Sequence, residues 1–242
     1  MIPVKKITAV FLVLVACGLY AQDNKSVTEE LKKINGSLKK CPSVKMDVTY
    51  VYFTSYTSKV PLEVQKGKIK KKANSQLSEL MGTTTVINDK YMLVVDSGSH
   101  RILVNDRKGI QAPGDVSEIK IDQLLKKYEQ PTQVSSGKLS GLRFTCKKNV
   151  YAEHNIVEIY YSKKNYVIEK LVFYYQQESA VDPDKEDGPK DKPRLEVTFS
   201  NIDLDAGLTD TDFSEKNYIQ FNGKQVKAAA SYKQYTVLKN NR

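Results

Sequence analysis

The sequence predicts a mainly β fold with flanking helices (α+β), in which antiparallel strands bury one apolar face. Three observations predict it. Apolar and polar residues alternate in many short runs, the signature of half-buried strands. Two segments switch to a helical period. Fifteen tyrosines and seven phenylalanines supply aromatic bulk without tryptophan, and aromatic residues favour pleated, half-buried surfaces.

The chain opens with Lys5 and Lys6, then an apolar run from Ile7 to Ala16. A basic start, a short apolar core and small residues before a polar stretch describe a secretory signal peptide over residues 1–21. Two exits compete. One is cleavage after Ala21, with bulky Leu19 upstream. The other uses "LVAC", Leu14 to Cys17, which has the form of a lipobox with Cys17 as the lipid acceptor. The first route leaves a soluble periplasmic protein, the second an anchored lipoprotein.

The remaining residues, 22–242, are long enough for a single domain with a sizeable core. Formal charge is +10, and loss of Lys5 and Lys6 lowers it by two. The lysines are scattered through "KGKIKKKAN" and "LKKYEQ" without forming a tail. Such a surface attracts anionic matter nonspecifically, a membrane surface included. Export and the absence of a reading motif argue against nucleic acid.

The first helix falls in "SVTEELKKINGSLKKC", where Val27, Leu31, Ile34 and Leu38 share one face. Ser26 and Glu29 form a capping box at its start, and Gly36 weakens its end. After Cys41 the period becomes two: Val44, Met46, Val48, Tyr50 and Tyr52 point one way along a long strand. "PLEVQKGKIKKK" reads as a strand broken near Gly67. "GTTTVINDKYMLVVDSGSHRILVND" reads as three strands joined by turns at 88–90 and 96–100. Helical period returns at Ile121, Leu124, Leu125 and Tyr128, and Pro131 ends it. "GLRFTCKKN", a hairpin turning at Ser162 to Asn165, and "RLEVTFSNIDLD" follow as strands. The tail holds two or three more. Between them, residues 178–193 are charged and proline-rich and read as a protruding loop.

The search for chemistry is largely negative. Two histidines exclude a His-rich metal centre, and neither His-x-x-x-His nor Cys-x-x-Cys occurs. Asp182, Asp184, Glu186 and Asp187 lack calcium-loop spacing. Asp96, Ser97, Ser99 and His100 lie within five residues, too close together for triad geometry, so "DSGSH" reads as a hairpin turn in preference to a hydrolase site. No catalytic, metal-binding or cofactor-binding residue is assigned. Cys41 and Cys146 are the internal cysteines. Export permits a disulfide between them, worth roughly 2–5 kcal/mol, with two buried free thiols as the alternative.

Three passages, "EELKKINGSLKKCPSVKMDVTYVYF", "GTTTVINDKYMLVVDSGSHRILVND" and "LEVTFSNIDLDAGLTDTDFS", resemble the periplasmic outer-membrane lipoprotein carrier and receptor superfamily (LolA-like). The "YAQD" exit resembles exported proteins of the Bacteroidetes type. The resemblance implies a strongly curved antiparallel sheet forming an incomplete barrel covered by helices. It also implies binding or carriage of an acyl chain, lipid or lipidated polypeptide in an apolar groove. Arg101 and Arg143 compete as the counterpart of the family's cavity arginine. Tyr50, Tyr52, Phe144, Tyr161 and Phe173 are the candidates to line the groove, and ordinary core packing is the competing role for each. The rival function is a non-catalytic structural or protein-binding module of the envelope, and a hydrolase with an unrecognised site is a third, lesser alternative.

Overall fold

A computed structural model describes residues 26–107, 121–181, 187–223 and 225–240. Helix α1 covers 26–37 and presents Val27, Leu31 and Ile34 to the interior. A 3-10 turn, Leu38–Lys40, follows Gly36 and leads into the first strand. A meander comes next: β1 (Val44–Phe53), β2 (Glu63–Lys72), β3 (Ser75–Leu80), β4 (Thr83–Ile87), β5 (Tyr91–Asp96) and β6 (Arg101–Asp106). Helix α2 (Ile121–Lys127) precedes a second meander of β7 (Thr132–Ser136), β8 (Leu139–Thr145), β9 (His154–Tyr161) and β10 (Ile168–Tyr175). A small ribbon of β11 (Ser179–Ala180) and β12 (Lys190–Asp191) lies within the charged loop. The chain then forms β13 (Arg194–Asp203), the hairpin β14 (Ile219–Asn222) and β15 (Gln225–Ala228), and β16 (Thr236–Asn240).

Among the described residues, twelve strands form one sheet in the order β16-β6-β5-β4-β3-β2-β1-β13-β10-β9-β8-β7. The two meanders meet where β13 pairs with both β1 and β10. β16 joins the far edge parallel to β6.

The core changes face along this sheet. Residues paired across strands share a face. Val48 pairs with Phe199, Val197 with Leu171, Leu171 with Ile159, and Ile159 with Leu142. These residues build two adjoining clusters, one of which includes Val27, Leu31 and Ile34 from α1. On the other half, Leu77, Val86, Leu93 and Val104 are aligned across β3 to β6. They pack with Phe213, Tyr218 and Ile219 of the C-terminal segment. Leu77 pairs with Lys70, whereas the core residue Ile69 pairs with Ser78. The third cluster therefore lies on the face opposite the helices. Ion pairs from Lys70 to Asp212 (3.1 Å) and Lys72 to Asp210 (2.8 Å) hold the C-terminal segment to β2.

This arrangement corrects the expected barrel. The sheet is open, with edges at β7 and β16, and it is not a strongly curved incomplete barrel. A sheet curls into a half-barrel around a core lying on one inner face. Here the two halves are covered on opposite faces, so curling towards either cover opposes the other.

The disulfide expectation is corrected as well: Cys41 and Cys146 are free thiols. Cys41 packs beside the β1 cluster and Cys146 beside the α1 cluster. Their nearest strands, β1 and β8, are separated by β13, β10 and β9. Four strand spacings amount to about 19 Å, beyond the roughly 7 Å Cα separation that a disulfide tolerates. The Cys41 thiol donates to the Ser37 carbonyl (3.4 Å) and the Cys146 thiol to that of Val150 (3.3 Å).

Candidate functional site

The face opposite α1, from β8 to β2, carries a ladder of charged and aromatic side chains. Strand register builds it directly. One row runs Arg143, Glu158, Val172, Glu196, Val51 and Val64 across six strands. The next runs Gly141, Tyr160, Lys170, Thr198, Thr49 and Lys66. A third contains Thr145, Ile156, Tyr174, Arg194 and Phe53.

Glu158 is its centre. It is only 5% exposed, so its charge requires partners. Arg143 Nη1 donates to Oε1 at 3.0 Å, while the Tyr160 and Tyr174 hydroxyls donate to Oε2 at 2.9 and 3.3 Å. Burial, then the bond to Glu158, pushes the Tyr160 phenol far above its ordinary value. Burial also raises that of Tyr174, with the Glu158 charge reinforcing it. Both phenols thus remain donors to the carboxylate. The Tyr160 ring lies across Gly141, where a Cβ would stand 2.7 Å from Cδ1. Only a residue without a side chain admits the ring there.

A second carboxylate repeats the pattern. Glu196 receives Lys170 Nζ at 2.7 Å and pairs with Arg194 Nε at 3.1 Å. The Arg194 guanidinium lies 4.1 Å from the Phe53 ring centroid. It donates to the Tyr56 and Ser58 carbonyls, tying the 54–58 segment to the face. Tyr56 stands edge-on to Tyr174 at 5.0 Å and donates to the Tyr175 carbonyl. The Arg143 guanidinium lies 5.9 Å from the Tyr174 ring. Arginine and tyrosine held rigidly together are the residue types that dominate protein-binding hot spots.

The sequence-derived groove residues lie on the other face. Register aligns Tyr52, Leu195, Phe173, Val157 and Phe144 in one row there, with Tyr50 in the next. Phe144 and Tyr161 have no exposed surface and pack in the cluster that contains Val27, Leu31 and Ile34. The Tyr161 hydroxyl donates to Glu30 of α1, and Glu30 also receives Gln133 Nε2 at 2.9 Å. Phe173 contacts two core clusters, Tyr50 is half-buried in one of them, and the Tyr52 hydroxyl lies 3.5 Å from Ser179 Oγ.

The "DSGSH" segment is the β5–β6 turn. Asp96 receives the amides of Gly98 and Ser99 at 2.9 and 3.2 Å, and the Ser99 hydroxyl at 2.5 Å. The His100 ring lies 5.1 Å from that of Tyr235. Among the described residues, no three His, Cys, Asp or Glu side chains converge on a metal position. Cys17, Asp182, Asp184 and Glu186 lie outside the described residues. No described helix is long and apolar enough to cross a membrane.

The buried tyrosines predict a response to alkali. Burial, the largest cause, pushes Tyr218 up to about 12 and moves Tyr160 and Tyr161 in the same direction. A phenol whose folded pKa exceeds its unfolded value, about 10, contributes stability that is complete below that value and is lost as pH rises. Ultraviolet titration of the 15 tyrosines is therefore expected to show an exposed group ionising first and a second group ionising with loss of circular dichroism. Smooth ionisation of all tyrosines near pH 10, with the fold intact, would contradict the buried network.

The fold and this face define an α+β protein built on one large open sheet, with a polar–aromatic lattice on the face away from α1. No family model matches the chain, and no curated protein does. Among solved structures, an uncharacterized conserved protein from Thermus thermophilus is similar over 89% of this chain and 99% of its own, with a TM-score of 0.48 and 10% identity. A LolA superfamily protein from Nitrosomonas europaea is similar over 78% of this chain and 98% of its own, with a TM-score of 0.36 and 13% identity. A chain of the MucA/MucB complex from Pseudomonas aeruginosa is similar over 84% of this chain and 63% of its own, with a TM-score of 0.38 and 11% identity. These are distant structural likenesses.

Proposed function

We propose that the protein is a non-catalytic, protein-binding module of the periplasmic envelope, and that the Glu158 lattice is its binding face. The lattice itself carries the reading. Arg143, Tyr160 and Tyr174 are fixed by one buried carboxylate, so little side-chain freedom remains to be lost on association. Export is supported by the signal-like residues 1–21. The lipid-carrier alternative needs apolar space beneath α1. Phe144 and Tyr161 pack in that cluster with no exposed surface, which favours the protein-binding reading.

A photoreactive residue at Thr198, in the middle of the face, is expected to cross-link an envelope polypeptide in the exporting cell. That polypeptide, purified, is expected to bind the wild-type protein stoichiometrically. Tyr174→Ala removes a central aromatic anchor and is expected to weaken binding at least about tenfold, a typical hot-spot effect. Stoichiometric uptake of a fluorescent fatty acid, unaffected by Tyr174→Ala and unaccompanied by any cross-link, would overturn the reading.

A further inference from the structure

We infer that the free margin of β2, at residues 62–66, is a strand-addition site for an extended, acidic and apolar segment of the partner. This inference rests on the protein-binding reading above and specifies how the partner is held.

The strand lengths create the site. β2 begins at Glu63, and β1 pairs with it from Tyr52↔Glu63 to Val44↔Lys71. On its other side β3 pairs only from Gly67↔Leu80 to Lys72↔Ser75. The β3–β4 connection then turns back at Met81 and Gly82, both at positive φ (53° and 71°). Residues 63–66 consequently have no strand partner on that side among the described residues. A strand margin of this kind is a template for pairing with another chain, and peptide recognition by strand addition uses it.

The side chains around the overhang mix apolar groups with the charge and proline that ordinarily guard a free margin: Glu63 and Lys66 lie within it and Pro61 precedes it. Here Val60, Leu62 and Val64 are 77%, 45% and 49% exposed, three large apolar side chains within five residues. Pro61 bounds the margin at one end. At the other, an open cleft of about 550 Å³ lies at the step between β2 and the β3–β4 turn. Lys66, Lys68, Asp47, Glu79, Met81 and Gly82 are among the residues lining it.

Charge selects the occupant. Lys66 is exposed, lies opposite Thr49 in the register and makes no ion pair among the described residues, whereas Lys68 stands between Asp47 and Glu79 and Lys70 and Lys72 are paired to Asp212 and Asp210. Lys59 is also exposed. An incoming strand that places apolar side chains against Leu62 and Val64 and a carboxylate beside Lys66 satisfies both features. Val64 belongs to the Arg143–Glu158–Val172–Glu196–Val51 row, so the margin continues the proposed binding face.

The test uses full-length protein and three labelled synthetic peptides. The first alternates valine and threonine and carries two aspartates at one end. The second replaces the aspartates with lysines. The third is the first with alternate backbone amides N-methylated. The aspartate peptide is expected to bind saturably, and Val64→Asp to weaken it at least tenfold. N-methylation is expected to abolish binding. Lys66→Glu is expected to lose the aspartate peptide and gain the lysine peptide, a reversal that a misfolded protein would not give. Undiminished binding of the N-methylated peptide, or no binding of the aspartate peptide, overturns the strand-addition site. If the Thr198 cross-link and its dependence on Tyr174 persist in that event, the protein-binding reading stands without it. If they are absent too, both fall.

Discussion

Replacing Phe144 with alanine is expected to lower the unfolding free energy by about 3–5 kcal/mol. Phe144 has no exposed surface. Its ring meets Tyr128 edge-on at 6.5 Å, and it packs in the cluster that includes Val27, Leu31 and Ile34 of α1 and Leu142, Val157 and Ile159 of the sheet. Truncation removes transfer energy and leaves a cavity that neighbours anchored in two helices and the sheet fill only in part. Phe144→Leu retains most of the volume and is expected to cost less than about 1.5 kcal/mol. Urea unfolding followed by circular dichroism measures both. The pair also separates core from groove. A phenylalanine lining an open lipid groove is already partly exposed, and its removal would cost little. A loss below about 1 kcal/mol for Phe144→Ala would therefore count against the packed core and revive the groove.

The local elements are written in the sequence because their causes are local. The helical spacing of Val27, Leu31 and Ile34 matches the buried stripe of α1. The alternation of Val44, Met46 and Val48 matches the buried face of β1. Asp96 and its neighbours form the turn that their hydrogen-bonding chemistry favours. Register and coverage were less legible. Alternation says that a strand has an apolar face but not which side of the sheet that face occupies. The reversal between Ile69 and Leu77 depends on pairing two segments whose patterns look alike. Short β3 and β7, with few apolar residues, give weak periodic signals. The parallel addition of β16 to β6 joins segments more than a hundred residues apart. Glu158, Tyr160 and Tyr174 each read as an ordinary outward residue, and Arg143 as one of two candidates for a cavity arginine, until register brings them together.

Gly67 is a case where the sequence signal pointed to the wrong consequence. Glycine weakens a strand interior, so a break was expected there, yet β2 runs unbroken from Glu63 to Lys72. The reason is a close approach between neighbouring strands. A Cβ at position 67 would lie 2.3 Å from the Glu79 carbonyl oxygen, 3.1 Å from Leu80 Cδ1 and 3.2 Å from Val48 Cγ1. The first of these is backbone and cannot rotate away.

Gly67→Val is therefore expected to destabilise the protein by about 3 kcal/mol, at the upper end of typical overpacking costs, even though valine has the higher strand propensity. Gly141→Ala provides the comparison. Its Cβ would meet the Tyr160 ring and Val134 Cγ2, side-chain atoms that yield by moving the ring off its bond to Glu158. Its stability cost is expected to be smaller, about 1 kcal/mol, while the Tyr160–Glu158 bond is disturbed. The two variants thus separate the frame from the face it carries. Chemical denaturation should rank Gly67→Val as the more destabilised, and ultraviolet titration should find a more readily ionised tyrosine only in Gly141→Ala. A stable Gly67→Val protein would mean that β2 and β3 do not approach closely at Gly67↔Leu80. The step that leaves residues 63–66 without a neighbour on the β3 side would then lose its structural basis.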